Sequence, residues 1–118
     1  MEHVEDNVRT HSPAVPLADD EMRLLERVAD EFAHFPAVPC TACRYCMPCP
    51  VGVEIPRIFG IYNQYKVSGN KWQFNSHYNG IPEDSRADSC VNCGRCMKHC
   101  PQKIKIPDML KQIAQEVK

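Results

Sequence analysis

Eight cysteines in 118 residues fall into two short runs, Cys40, Cys43, Cys46, Cys49 and Cys90, Cys93, Cys96, Cys100. Thiolates at this density can ligate a metal or cluster, pair as disulfides or attach a haem. The second run reads C-x2-C-x2-C-x3-C-P. Cysteines two residues apart can wrap three corners of an iron–sulfur cubane in one tight loop, with backbone N–H groups facing the sulfides. The fourth then reaches out of the loop, and the proline turns the chain away. The first run, C-x2-C-x2-C-x2-C-P, is one residue shorter at its end, with Pro48 inside the gap. Its fourth ligand is therefore less defined.

Competing chemistries fit less well. Disulfides suit secreted chains, and the first twenty residues are too acidic for a signal peptide. Zinc is the stronger competitor, because C-x2-C pairs are common zinc ligands, but zinc sites usually take two such pairs. Haem attachment needs His after C-x2-C, whereas Met47 and Met97 follow here. Cluster ligation is the favoured reading. A zinc-binding interaction module without a redox role is the alternative. His99 reads as a loop residue beside Cys100 rather than a ligand. Tyr45, Tyr62, Tyr65, Trp72, Phe74 and Tyr78 could form an electron relay, but packing and cluster shielding explain Tyr62 and Tyr65 more simply. No Ser/His/Asp set, phosphate loop or carboxylate pair suggests catalysis.

The elements that must position these thiols are short. Residues 1–18 read as an irregular lead-in, broken by Pro13 and Pro16, and residues 19–118 as the cluster domain. Asp19 can cap a helix with Met22, Leu25, Val28, Ala29 and Phe32 at helical spacing, stopped by Pro36 and Pro39. Pro56 opens a helix through Ile58, Phe59, Ile61, Tyr62 and Tyr65. Residues 68–89 are polar and rich in turn formers. A last helix from Pro107 buries Leu110, Ile113, Ala114 and Val117. No strand is expected, so the fold class is all-α, with long cysteine loops.

An internal repeat organises the chain. Cys40, Cys43 and Cys46 map onto Cys90, Cys93 and Cys96 at an offset of fifty residues. After one inserted residue, Cys49-Pro50 through Ile55-Pro56 and Phe59 map onto Cys100-Pro101 through Ile106-Pro107 and Leu110. Each copy is a cysteine loop running into a Pro-started helix.

Residues 1–39 carry nine Asp/Glu against three Arg, and residues 40–118 eleven Lys/Arg against six Asp/Glu. The scattered basic excess gives no nucleic-acid stripe. It would offset two clusters, each 2− when four thiolates surround an oxidised 2+ core. No run approaches the length of a membrane span, and a cytoplasmic location with reduced thiols is expected. A 118-residue chain with ten prolines and one Trp has a modest core, so metal is expected to staple it.

Cys40-Thr41-Ala42-Cys43-Arg44-Tyr45-Cys46-Met47-Pro48-Cys49-Pro50-Val51-Gly52-Val53 resembles the C-terminal ferredoxin-like domain of iron–sulfur aldo/keto reductases. The likeness continues through Ile55-Pro56, Tyr62-Asn63-Gln64-Tyr65, Cys93-Gly94-Arg95-Cys96 and Cys100-Pro101-Gln102, and it includes the shortened first run. Met1 to Val8 and on through Pro16-Leu17 resembles the exit from that family's barrel. The resemblance implies an α-helical ferredoxin domain that the family appends to an NAD(P)-type (β/α)8 barrel. That barrel, with its Asp, Tyr, Lys and His, is not encoded in these residues. The chain is therefore expected not to act as an enzyme on its own. It is either a stand-alone carrier or the tail of a longer product.

The resulting expectation is electron transfer through two [4Fe–4S] clusters in a pseudo-two-fold α-helical ferredoxin. Its partner would be a redox protein or an aldo/keto reductase barrel, with neither nucleic acid nor membrane involved. Cluster 1 would be held by Cys40, Cys43, Cys46 and Cys100, and cluster 2 by Cys90, Cys93, Cys96 and Cys49, as fourth cysteines cross in two-cluster ferredoxins. In the alternative, Cys100 completes the set of Cys90, Cys93 and Cys96.

Overall fold

The computed structural model describes residues 1–13 and 15–117; Ala14 of the lead-in and Lys118 lie outside the described residues. The chain divides into two compact units, Met1–Phe35 and Pro36–Lys118.

The first unit holds α1 (Glu2–His11) and α2 (Asp19–Ala33). The helix α1 corrects the irregular lead-in. Pro13 lies beyond its end and terminates it rather than preventing it, while Glu2 and Glu5 in its first turn and Arg9 and His11 in its last complement the helix dipole. In α2 the N-cap is Ala18 rather than Asp19, and the Glu21 carboxylate accepts the Ala18 N–H at 2.8 Å. Asp19, Asp20 and Glu21 then sit in the first turn, where the dipole favours them. Met22, Leu25, Val28 and Phe32 are exposed, so the amphipathic face foreseen for this helix is formed but not buried.

The second unit contains α3 (Ile55–Ser68), α4 (Lys71–Asn79), α5 (Arg95–Lys98) and α6 (Ile106–Val117), with single 3-10 turns at Glu83–Ser85 and Ala87–Ser89. No strand occurs among the described residues. No described helix is long and apolar enough to cross a membrane. Pro56 and Pro107 open α3 and α6 as foreseen, and Gly69 ends α3 in the left-handed conformation (φ 66°) that glycine adopts without a Cβ clash. The helix α4 occupies a stretch read as turns. Asn70 caps it by accepting the Gln73 N–H at 3.0 Å, and Phe74 and Tyr78, four residues apart, face inward.

Helices α3, α4 and α6 pack on one another around Ile58, Phe59, Tyr62, Phe74, Tyr78, Leu110 and Ile113, all buried. Tyr65 stacks on Phe74 with centroids 4.7 Å apart, and Tyr62 meets Phe74 edge-on at 6.2 Å. A polar clasp joins α3 to α6. The Tyr62 hydroxyl donates to Glu116 Oε1 at 2.8 Å, and Lys66 Nζ donates to Glu116 Oε2 at 2.8 Å. Burial alone would raise the Glu116 carboxyl, but hydrogen bonds from Lys66, Tyr62 and Gln112 outweigh it and leave its pKa below the usual range.

Candidate metal centres

The helical core pins the approach to each cysteine loop. Asn63 on α3 grips the backbone of Val38, accepting its N–H through Oδ1 and donating from Nδ2 to its carbonyl, both at 2.8 Å. On α4 the Tyr78 hydroxyl accepts the Ala87 N–H at 3.0 Å and so fixes the 3-10 turn that leads into Cys90. Neither role could be read from the sequence, because both depend on side chains distant in the chain.

Beyond those anchors the two loops follow one backbone design. Left-handed residues recur at equivalent positions: Ala42 and Asn92 (both φ 54°), Arg44 and Gly94 (65° and 71°), Gly52 and Lys103 (78° and 52°). Alternation of right- and left-handed residues turns successive N–H groups toward one concavity, the arrangement that favours bound anions. Hydrogen bonds repeat as well. Met47 N–H to Arg44 O (2.9 Å) matches Met97 to Gly94 (3.2 Å), and Gly52 to Cys49 (3.0 Å) matches Lys103 to Cys100 (3.1 Å). Ile55 to Val53 (3.0 Å) matches Ile106 to Ile104 (2.9 Å). The loops differ between the third and fourth cysteines, where the first copy has a cis Met47–Pro48 peptide and the second the single turn α5.

These paired turns bring the thiols together around two small spaces. The first is lined by Cys40, Cys43, Cys46 and Cys100 and walled by Ile55, Phe59, Ile104 and Ile106. Around the second stand Cys49, Cys90, Cys93 and Cys96, with Val51, Ile55, Val91 and Leu110. Ile55 belongs to both walls. All eight cysteines are free thiols; Cys43 and Cys93 are exposed and the rest are half-buried.

Cys46 and Cys96 also share a surface groove with Tyr45, Pro48, Arg95 and His99, so the two sites lie side by side. Burial pushes the pKa of both thiols up, and neighbouring thiolates push further in the same direction: chiefly Cys40 on Cys46, and Cys90 on Cys96. A cationic iron core would reverse that penalty. His99 lines the groove and neither thiol space. Tyr62 and Tyr65 line neither space, so of the two roles read for them packing is seen and shielding is not: α3 turns that face toward α4, where Tyr65 stacks on Phe74 and Tyr62 meets it edge-on. Tyr45 and Trp72 are exposed.

The donor set fits an iron–sulfur cluster: four soft sulfur donors surround each of the two spaces. Residues 39–106 match a family model described as a 4Fe-4S dicluster domain. No curated protein and no solved structure matches the chain.

Proposed function

From a chain that belongs to the 4Fe-4S dicluster domain family and takes two [4Fe–4S] clusters, we propose an electron-transfer module with a crossed ligand arrangement. Cys40, Cys43, Cys46 and Cys100 hold one cluster, and Cys90, Cys93, Cys96 and Cys49 the other. The carrying observation is the lining of the two thiol spaces, each with three cysteines from one run and one from the other. Such a cluster, when bound, supplies a one-electron couple whose potential depends on net charge, hydrogen bonds to sulfur and solvent exposure.

The chain's own residues set the conditions for that couple. Buried Phe59, Ile104 and Ile106 keep water from the inner wall of the first site and Leu110 from that of the second, and Ile55 is the shared partition. Crossing makes each site close a long chain loop, restricting the unfolded state and tying the two repeats together. The partner is a redox protein or an aldo/keto reductase barrel, a reading supported by the resemblance of residues 40–110 to that family's C-terminal domain.

Anaerobic reconstitution tests the module. Equimolar iron and acid-labile sulfide, with a brown chromophore, is the expected outcome; a colourless zinc-loaded chain would refute it. Cys100→Ser and Cys40→Ser should then disturb the same paramagnetic signal on reduction. If Cys100→Ser instead reproduces Cys93→Ser, with Cys40→Ser different, the crossed arrangement is wrong.

A further inference from the structure

The internal repeat allows the two sites to be compared position by position, and they differ in one direction. Most wall residues are equivalent in kind: Pro56 and Pro107, Phe59 and Leu110, and the four cysteines of each space. Three equivalent pairs are not. Thr41, Arg44 and Gln102 line the first space, and their counterparts at the second are Val91, Gly94 and Val51. Two neutral polar residues and a cation, all three exposed, thus border the first space where two aliphatic residues and a glycine border the second, although the surface presented to each space is apolar.

The surrounding charges follow the same bias. Lys103 and Lys105 flank Ile104 of the first wall, where Gly52 and Glu54 occupy the equivalent places in the other copy. Beside Cys90 a polar cleft carries Asp88 and Asp108 against one cation, Lys111; the counterparts of the two aspartates are Val38 and Arg57. Arg95 and Lys98 on the second loop act in the opposite sense. Arg95, however, lies in the groove shared by Cys46 and Cys96, so its field reaches both sites.

Cations and donors near a thiolate-bound cluster stabilise the reduced form, which carries one more negative charge. We propose that Arg44, with Lys103 and Lys105, holds the potential of the first site above that of the second, so that an electron entering the pair comes to rest at the Cys40/Cys43/Cys46 end. The step is a one-electron reduction of a cluster core from 2+ to 1+ by a low-potential donor. It needs no proton and no bond change. The proposal rests on the electron-transfer reading and gives it a direction.

The repeat also supplies the variants. Arg44 sits at φ 65°, so Arg44→Gly fits the backbone already present. Gly94→Arg takes the conformation Arg44 already adopts, and its Cβ would meet only the flexible end of Met97 at 3.3 Å. Cys43 and Cys93 belong to the first and second triples whichever fourth cysteine serves each, so Cys43→Ser and Cys93→Ser identify the signals.

The experiment is a dithionite titration of the reconstituted full chain, followed by electron paramagnetic resonance. Two unequal midpoints are expected, the higher lost in Cys43→Ser. Arg44→Gly should lower that midpoint alone, changing its reduction constant up to about tenfold, or about 59 mV for one electron. Gly94→Arg should raise the lower midpoint alone and narrow the gap. Two clusters with equal midpoints, the higher midpoint assigned to the Cys93 site, or an Arg44→Gly variant that shifts both midpoints together would overturn the proposal and leave the electron-transfer reading standing. Failure of any cluster to form or reduce would overturn both.

Discussion

Replacing Asn63 with leucine keeps the branched outline of the side chain, at a larger volume, and removes both hydrogen bonds to Val38, each 2.8 Å long. Val38 is 2 % exposed, so its N–H would be left buried without a partner, while its carbonyl would keep only the Cys40 N–H at 2.7 Å. Such an orphaned donor costs about 1–3 kcal/mol, with roughly 2 kcal/mol as the central value. That loss falls on the segment two residues before Cys40. Local opening of the first cysteine loop should then rise about thirtyfold. The matched change on the second loop is Tyr78→Phe, which deprives the Ala87 N–H of its acceptor. This too orphans one buried donor, so its effect should be of similar size in free energy. Anaerobic chelation followed by visible absorbance gives the rate of iron loss, and electron paramagnetic resonance on reduction shows which cluster survives. Asn63→Leu should lose the cluster that Cys43→Ser disturbs, and Tyr78→Phe the one that Cys93→Ser disturbs. Equal loss of both clusters in either variant, or rates equal to wild type, would refute the argument that one core residue pins each loop.

Three further outcomes follow from the same physics. Removing iron anaerobically should abolish most helical circular dichroism in Pro36–Lys118, because the small core depends on the cysteine loops being closed; a cooperative melt with full helix content after chelation would contradict this. Glu116 has a lowered pKa, so its contribution to stability is present above its unfolded-state value and is lost as pH falls through the folded-state value. Acid melts of Glu116→Gln should accordingly converge with wild type, while near neutrality the variant should be less stable by about 1–2 kcal/mol. Lys66 shifts upward, chiefly through its hydrogen bond to Glu116; its contribution is present below its unfolded-state value and lost as pH rises through the folded one. An alkaline melting series in which wild type and Lys66→Met keep a constant gap would speak against that linkage.

The parts of this molecule legible in the sequence are those whose physics is local. Ligand spacing, the fifty-residue repeat and the prolines that open α3 and α6 need no knowledge of distant residues. The misreadings have equally specific causes. Pro13 and Pro16 stop a helix only where they stand, and the ten residues before them were free to form α1. In α4 only Phe74 and Tyr78 are buried, too few to generate an apolar stripe, and the signal that was available was Asn70 as a cap. Asn63, Tyr78 and Glu116 act across 9 to 54 residues of chain, so no window of sequence could assign them.

The repeat explains why the two sites resemble each other in backbone and differ in charge. The backbone of each loop is fixed by left-handed positions and turn hydrogen bonds, which depend weakly on side-chain identity: Arg44 does at one site what Gly94 does at the other, and Lys103 what Gly52 does. A side chain projecting from such a position can therefore change without disturbing the thiols it stands between. Where the backbone tolerates both residues, the choice between them is left to the electrostatics of the bound cluster. The positions that tune each site are thus the ones least needed to build it, and they are where the two copies have diverged.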